Sequence, residues 1–97
     1  MAIEVKHVPG KKTKGKILIY ALSTCGWCKK TKQMLKDSEI EYSYIDVDLV
    51  DGTEDKRKVV EEIKKWNPFK SFPTIVIDDK ECIIGFDEPR IKKELLE

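Results

Sequence analysis

Four short β-prone runs alternate with three amphipathic stretches along the 97 residues. Lys16-Ile17-Leu18-Ile19-Tyr20-Ala21-Leu22 is almost continuously apolar, the pattern of a central strand covered on both faces. Ser23 and Thr24 break it, and a helical pattern runs from about Gly26 to Asp37. That helix would bury Cys28, Thr31, Met34 and Leu35 and turn its lysines outward. Glu41 to Val47 reads as a second strand, with Tyr42 and Tyr44 on one face and Ser43, Ile45 and Val47 on the other. Asp51-Gly52 marks a turn, and Thr53 is the expected N-cap of a second helix with Glu54 and Asp55 in its first turn. Val59, Val60, Ile63 and Trp66 form its apolar stripe, and Asn67-Pro68 ends it. Thr74-Ile75-Val76-Ile77 and Glu81-Cys82-Ile83-Ile84, joined by Asp78-Asp79-Lys80, make a hairpin. Asp87 then caps a last helix with Ile91, Leu95 and Leu96 as its apolar positions.

The predicted order is β-α-β-α-β-β-α, an α/β three-layer sandwich whose mixed four-stranded sheet carries helices on both faces. Ahead of it, Ile3 to Val8 alternates briefly, as a short edge strand or an ordered arm would, and Pro9-Gly10-Lys11-Lys12 reads as a turn or mobile loop. Residues 1–15 are thus a basic arm or edge strand and residues 16–97 the domain proper. No internal repeat is present.

Composition narrows the class. Hydrophobic residues make up 40% and charged residues 38%, enough for one core under a charged surface. No apolar run approaches the roughly 20 residues that span a bilayer, and Met1 to Lys16 holds no apolar stretch of signal-peptide type. The expectation is a soluble, cytoplasmic monomer without membrane contact. The net charge of +1 conceals a polarity: residues 1–36 carry nine Lys and one Glu, whereas residues 37–97 carry ten Lys or Arg against seventeen acids. Lys11, Lys12, Lys14 and Lys16 form one basic cluster and Lys29, Lys30, Lys32 and Lys36 another. Without interleaved aromatics or a binding motif they read as solvated faces rather than a nucleic-acid site, or as a field steering an acidic partner towards the cysteines.

Cys25-Gly26-Trp27-Cys28 carries the chemistry. Two thiols three residues apart at a helix start can close a small disulfide. Exchange needs one of them as thiolate, and Cys25 sits where unpaired backbone N–H groups favour negative charge. Cys28, one turn in, would be more buried and act second. The same spacing is half of many zinc sites, but only Cys82 and His7 remain as further ligands, in no zinc pattern. Three cysteines also fail to make a secreted disulfide framework. Cys82 reads as a buried core thiol, His7 as an exposed side chain, and Trp27 either as an exposed contact residue or as packing against Phe72 or the sheet edge. Trp66, Phe69 and Phe72 either line a groove near Cys25 or pack in the core.

The strand ending in Tyr20-Ala21-Leu22-Ser23-Thr24, the Cys25–Cys28 pair, Ser71-Phe72-Pro73 before a hairpin, and Ile84-Gly85-Phe86-Asp87 opening the last helix resemble the glutaredoxins of the thioredoxin-fold superfamily, across residues 16–97. The resemblance implies a cis Pro73 facing the nucleophile, and a substrate segment held by Trp27, Phe72, Pro73, Gly85, Phe86 and Asp87. It also implies a thiol–disulfide oxidoreductase with Cys25 as nucleophile and Cys28 as resolving thiol, acting on protein disulfides without cofactor or metal. Two departures bear on the donor. Glutathione-using glutaredoxins carry a basic residue where this chain has Leu22, and two glycines where it has Ile84-Gly85. Gly85-Phe86 followed by Pro89 is instead similar to redoxins that serve ribonucleotide reductases. A reductase linked to NAD(P)H or ferredoxin is therefore the expected donor, with glutathione-dependent deglutathionylation, a zinc or iron–sulfur binding module and a disulfide isomerase or oxidase as rivals.

Overall fold

The computed structural model describes residues 5–13, 15–69 and 71–96. Ile3, Glu4 and Lys14, which entered the arm and basic-cluster readings, lie outside these. The elements are β1 (Lys6–Val8), β2 (Ile17–Ala21), α1 (Gly26–Asp37), β3 (Tyr42–Asp46), α2 (Thr53–Trp66), β4 (Thr74–Ile77), β5 (Glu81–Ile84) and α3 (Glu88–Ile91). A 3₁₀ turn at Val47–Leu49 precedes α2, and a π-helical stretch, Lys92–Leu96, follows α3.

The sheet has five strands in the order β1-β3-β2-β4-β5, not four. Strand β2 runs parallel to β3 and antiparallel to β4, while β1 pairs antiparallel with β3 from Lys6↔Tyr44 to Val8↔Tyr42. Too short and too polar to declare itself, β1 takes its strand geometry from the open edge of β3. The Pro9–Lys12 segment is not a free loop either. Lys12 donates to the Glu39 carbonyl at 2.9 Å and accepts from the Glu41 N–H at 2.8 Å. Gly10 fits because a Cβ there would lie 2.6 Å from the Glu39 carbonyl oxygen.

Strand β2 alternates between two cores. Ile17, Ile19 and Ala21 pack with Cys28 and Leu35 of α1, Ile75 and Ile77 of β4, and Ile91 and Leu95. Tyr20 faces the other way, onto Ile45, Val76, and Val59 and Ile63 of α2. The three layers therefore meet across one strand, as its continuous apolar run predicts.

Two helix starts and ends differ from the sequence pattern. Gly52, at φ 88, caps α2, and its carbonyl accepts the first helical bond from Lys56 N at 3.0 Å. Thr53 is thereby drawn inside the helix, because only the residue before it readily adopts that positive φ. The last helix is α-helical for one turn only. The wider turn that follows, with i→i+5 spacing, brings Leu96 as well as Leu95 round to the side of Ile91, and all three pack on the α1-side core.

Ile19 is fully buried at the centre of this arrangement. Ile19→Ala is expected to destabilise the fold by about 2–5 kcal/mol, read as a lower urea midpoint at unchanged slope. A loss well under 1 kcal/mol, on the order of a surface change, would contradict the two-core assignment.

Candidate active site

Four residues separate the end of β2 from the start of α1, and this turn determines where Cys25 sits. The Cys25 N–H donates to the Leu22 carbonyl at 3.1 Å, closing the turn. Cys25 itself is the N-cap of α1 with extended backbone (φ −80, ψ 118), and its Sγ accepts the Cys28 N–H at 3.2 Å. Sulfur thus takes the place that a Ser, Thr or Asp oxygen usually fills at a helix start. The remaining orphan N–H groups of the first turn leave partial positive charge around it.

The two thiols differ sharply in setting. Cys25 is half-buried, whereas Cys28 is wholly inside the α1-side core. Burial pushes the Cys28 thiol up to about 12, its hydrogen bond to Cys25 adds to this, and repulsion from Cys25 does so too. The Leu22 backbone and, to a lesser degree, the Lys32 ammonium pull the other way. Lys32 is fixed beneath the site: its Nζ lies 3.2 Å from Asp46 Oδ1 and 3.9 Å from the centre of the Tyr44 ring.

Pro73 directly precedes β4 and follows a cis Phe72–Pro73 bond, and Thr74 lies opposite Tyr20. The proline therefore stands beside the end of β2 from which the Cys25 turn departs. Its carbonyl accepts the Gly85 N–H at 2.8 Å, so the loop and the end of β5 are tied together. Gly85 adopts φ 73, which suits glycine. Phe72 is half-buried and touches both cores. Phe86 rests against the α1-side core and stacks on Trp27, with centroids 5.2 Å apart and planes at 23°. That settles Trp27 as exposed, partnered by Phe86 rather than by Phe72 or the sheet edge. Asp87 caps α3, accepting from the Arg90 N–H at 3.3 Å.

Sequence reasoning missed the polar residues that hold these loops. Asp48 accepts twice from Ser23, at 2.8 Å from N–H and 2.5 Å from Oγ, and so pins the turn ahead of Cys25. These bonds hold the Asp48 carboxyl below the usual range. Asn67, fully buried, donates through Nδ2 to the Ser71 carbonyl, Ser71 Oγ and Thr74 Oγ1 at 3.0–3.1 Å, while its Oδ1 accepts from the Phe69 N–H. It organises the whole run into Pro73. Only the Asn-Pro step hinted at it, and that step reads first as a helix stop.

Cys82 is half-buried rather than buried. It packs with the α2-side core and its thiol donates to the Trp66 carbonyl at 3.2 Å. It therefore lies across the sheet from Cys25 and Cys28. His7 is exposed on β1 and engages Ser43 and Glu41, each at 3.0 Å. The four ligands that a zinc reading needs do not converge, and no group of three or more potential metal ligands occurs among the described residues. No helix among those residues is long and apolar enough to cross a membrane.

A five-stranded sheet between two helical layers, a dithiol at a helix N-terminus and a cis-proline loop beside it define a thioredoxin-fold thiol–disulfide oxidoreductase. The glutaredoxin family model matches residues 17–83. A glutaredoxin-like 8.6 kDa protein in the rubredoxin operon of Clostridium pasteurianum, itself uncharacterized, is 36% identical over 77 residues, which span 79% of this chain and 93% of the relative. Among solved structures, a glutaredoxin from Methanosarcina mazei Go1 superposes with a TM-score of 0.81 at 44% identity, covering 92% of this chain and 84% of the other. A methanoredoxin from Methanosarcina acetivorans gives 0.80 at 42%, covering 86% of each. The chain belongs to the glutaredoxin family.

Asp48→Ala should lower the thermal midpoint at neutral pH, and the gap to wild type should close in acid. The carboxyl is held below its unfolded value of about 3.9. Its contribution is therefore complete above that value and is lost as pH falls through the lower folded one. Thermal unfolding followed by circular dichroism between about pH 3 and 7 tests this; a gap that stays constant to the acid end would contradict a role through charge.

Proposed function

We propose that this protein reduces protein disulfides, with Cys25 as nucleophile and Cys28 as resolving thiol. The observation that carries the reading is the asymmetry of the pair. Cys25 Sγ sits in the cap of α1 with the Cys28 N–H 3.2 Å away, while Cys28 is buried and held protonated near 12. At neutral pH one thiol is therefore presented to solvent and the other is kept in reserve.

Cys25 thiolate attacks one sulfur of the substrate disulfide, the S–S bond breaks, and the departing sulfur leaves as thiolate. With Cys25 in a mixed disulfide, the hydrogen bond and the charge that helped to hold the proton on Cys28 disappear. Burial remains, opposed by the Leu22 backbone and Lys32. Cys28 then gives its proton to the departed thiolate and attacks Cys25 Sγ, releasing the second substrate sulfur, which takes its proton from water. Two electrons pass to the substrate and the pair ends as a disulfide. A dithiol donor restores it.

The substrate segment lies along Phe72 and Pro73, with Trp27, Gly85, Phe86 and Asp87 on the other side. The ties already described, Pro73 to Gly85 and Trp27 to Phe86, support this reading by grouping these residues. The donor is a reductase linked to NAD(P)H or ferredoxin. Leu22, where glutathione-using relatives carry a basic residue, packs on the α2-side core, and Ile84 projects an exposed branched chain where they carry glycine. The protein works as a cytoplasmic monomer, residues 16–97 form the redox domain, and residues 1–15 are an accessory to it, of which Lys6–Val8 pair with the edge of β3.

Brief alkylation of freshly reduced protein at neutral pH should label Cys25 and spare Cys28, seen by peptide mass spectrometry. Cys25→Ser should abolish turnover, and Cys28→Ser should accumulate a mixed disulfide with the substrate. Turnover that survives in Cys25→Ser would overturn the assignment. Full activity of Cys28→Ser with glutathione as donor would replace it by the single-thiol route.

A further inference from the structure

A cation and two aromatic rings form a ledge at the start of α1, the helix that Cys25 caps, and the redox step itself does not use it. Trp27 is 57% exposed and stacks on Phe86. Lys30 Nζ lies over both rings, 5.5 Å from the Trp27 centre and 5.4 Å from that of Phe86. Rings in these positions attract an ammonium through their quadrupoles and fix where it stands. Lys30 is thus placed rather than free to sweep. Among the described residues no carboxylate forms an ion pair with it or with its neighbour Lys29. The contrast lies two residues further on, where Lys32 is matched by Asp46 at 3.2 Å. Glu88 feels the charge of Lys30, but its carboxylate is bound to Lys92 at 3.0 Å. Asp87 is turned to the α3 cap. The first turn of α1 has no acidic residue at all. A positioned cation with no acid of its own, set on apolar surface in the first turns of the helix that Cys25 caps, matches a carboxylate on the incoming chain.

We propose that Lys30, laid across the Trp27–Phe86 pair, selects disulfides flanked by an acidic residue in the partner's segment. The idea rests on Cys25 being the nucleophile, and it adds the chemistry of what Cys25 meets. As the partner's cysteine reaches Cys25, the adjacent Asp or Glu takes a charge-assisted hydrogen bond from Lys30. Its stem covers the exposed indole. Such rim charges act more on encounter and choice of partner than on tightness, which suits a carrier that must also let go.

The test uses three synthetic peptides, each carrying one cysteine as a disulfide with a small neutral thiol and differing only at the neighbouring residue: Asp, Asn or Lys. The rate of mixed-disulfide formation at Cys25 is measured in Cys28→Ser protein. Asp is expected to exceed Lys by about three- to tenfold at low ionic strength, with Asn between them, and the ratio should collapse in roughly 0.5 M salt. In a Lys30→Glu background the order should invert. Lys36→Glu, the same charge change at the far end of α1, should leave the ratio near that of Cys28→Ser alone. Equal rates for the three peptides would overturn the proposal, as would a Lys30→Glu variant that slows all of them by one factor. That second result would mean Lys30 acts on the thiolate and not on the partner. If no peptide reacts at Cys25, the nucleophile assignment itself fails, which is a different outcome from reaction without preference.

Discussion

The structure depends on a helix that starts on sulfur. A helix must satisfy or solvate the N–H groups of its first turn, and at the head of α1 a thiol receives one of them, with Cys25 Sγ 3.2 Å from the Cys28 N–H. A sulfur is a weak neutral acceptor, so the bond would be stronger to a thiolate, the form in which this atom attacks. Structural need and chemical need thereby fall on one atom. The adjoining loops have the task of keeping that atom at the end of the helix without covering it.

They do so with polar side-chain bonds, one pair reaching 25 residues along the chain and the others four to seven. Asp48 fixes Ser23 from across the end of β3, and Asn67 gathers Ser71 and Thr74 into the approach to Pro73. No buried side-chain nitrogen or oxygen is left without a partner among the described residues. Buried polar groups that are fully bonded specify one geometry, and buried Asn67 and Thr74 lie where the irregular backbone before Pro73 must be held still. The helices and strands supply burial instead: one apolar strand, β2, serves both cores and carries the Cys25 turn at its end.

This division explains what could be read from the chain. The span of α1, strands β2 to β5, the hairpin turn and the dithiol were legible because each is written in consecutive residues, by period, by turn chemistry or by spacing. Gly52 could not be preferred over Thr53 as a cap from composition alone, since the deciding fact is a positive φ set by how the chain enters α2. Strand β1 was visible only as an option, because three residues with one partly buried valine become a strand through β3's open edge. Asp48 and Asn67 were invisible as site residues. An aspartate after a strand and an asparagine before a proline have common local roles, and the partner of Asp48 lies 25 residues away.

The placement of the third thiol follows from the same layering. Residues alternate across a strand, and β5 puts Ile83 in the α1-side core and Cys82 against the α2 side. The sheet therefore stands between Cys82 and the redox pair. Its thiol is also engaged with the Trp66 carbonyl, and burial holds it above its ordinary range. A cysteine in that setting is slow to ionise and poorly placed to intercept a mixed disulfide at Cys25. The fold thus carries three thiols while presenting one: Cys28 waits behind Cys25 in the same core, and Cys82 is kept out of the exchange by geometry as well as by its proton.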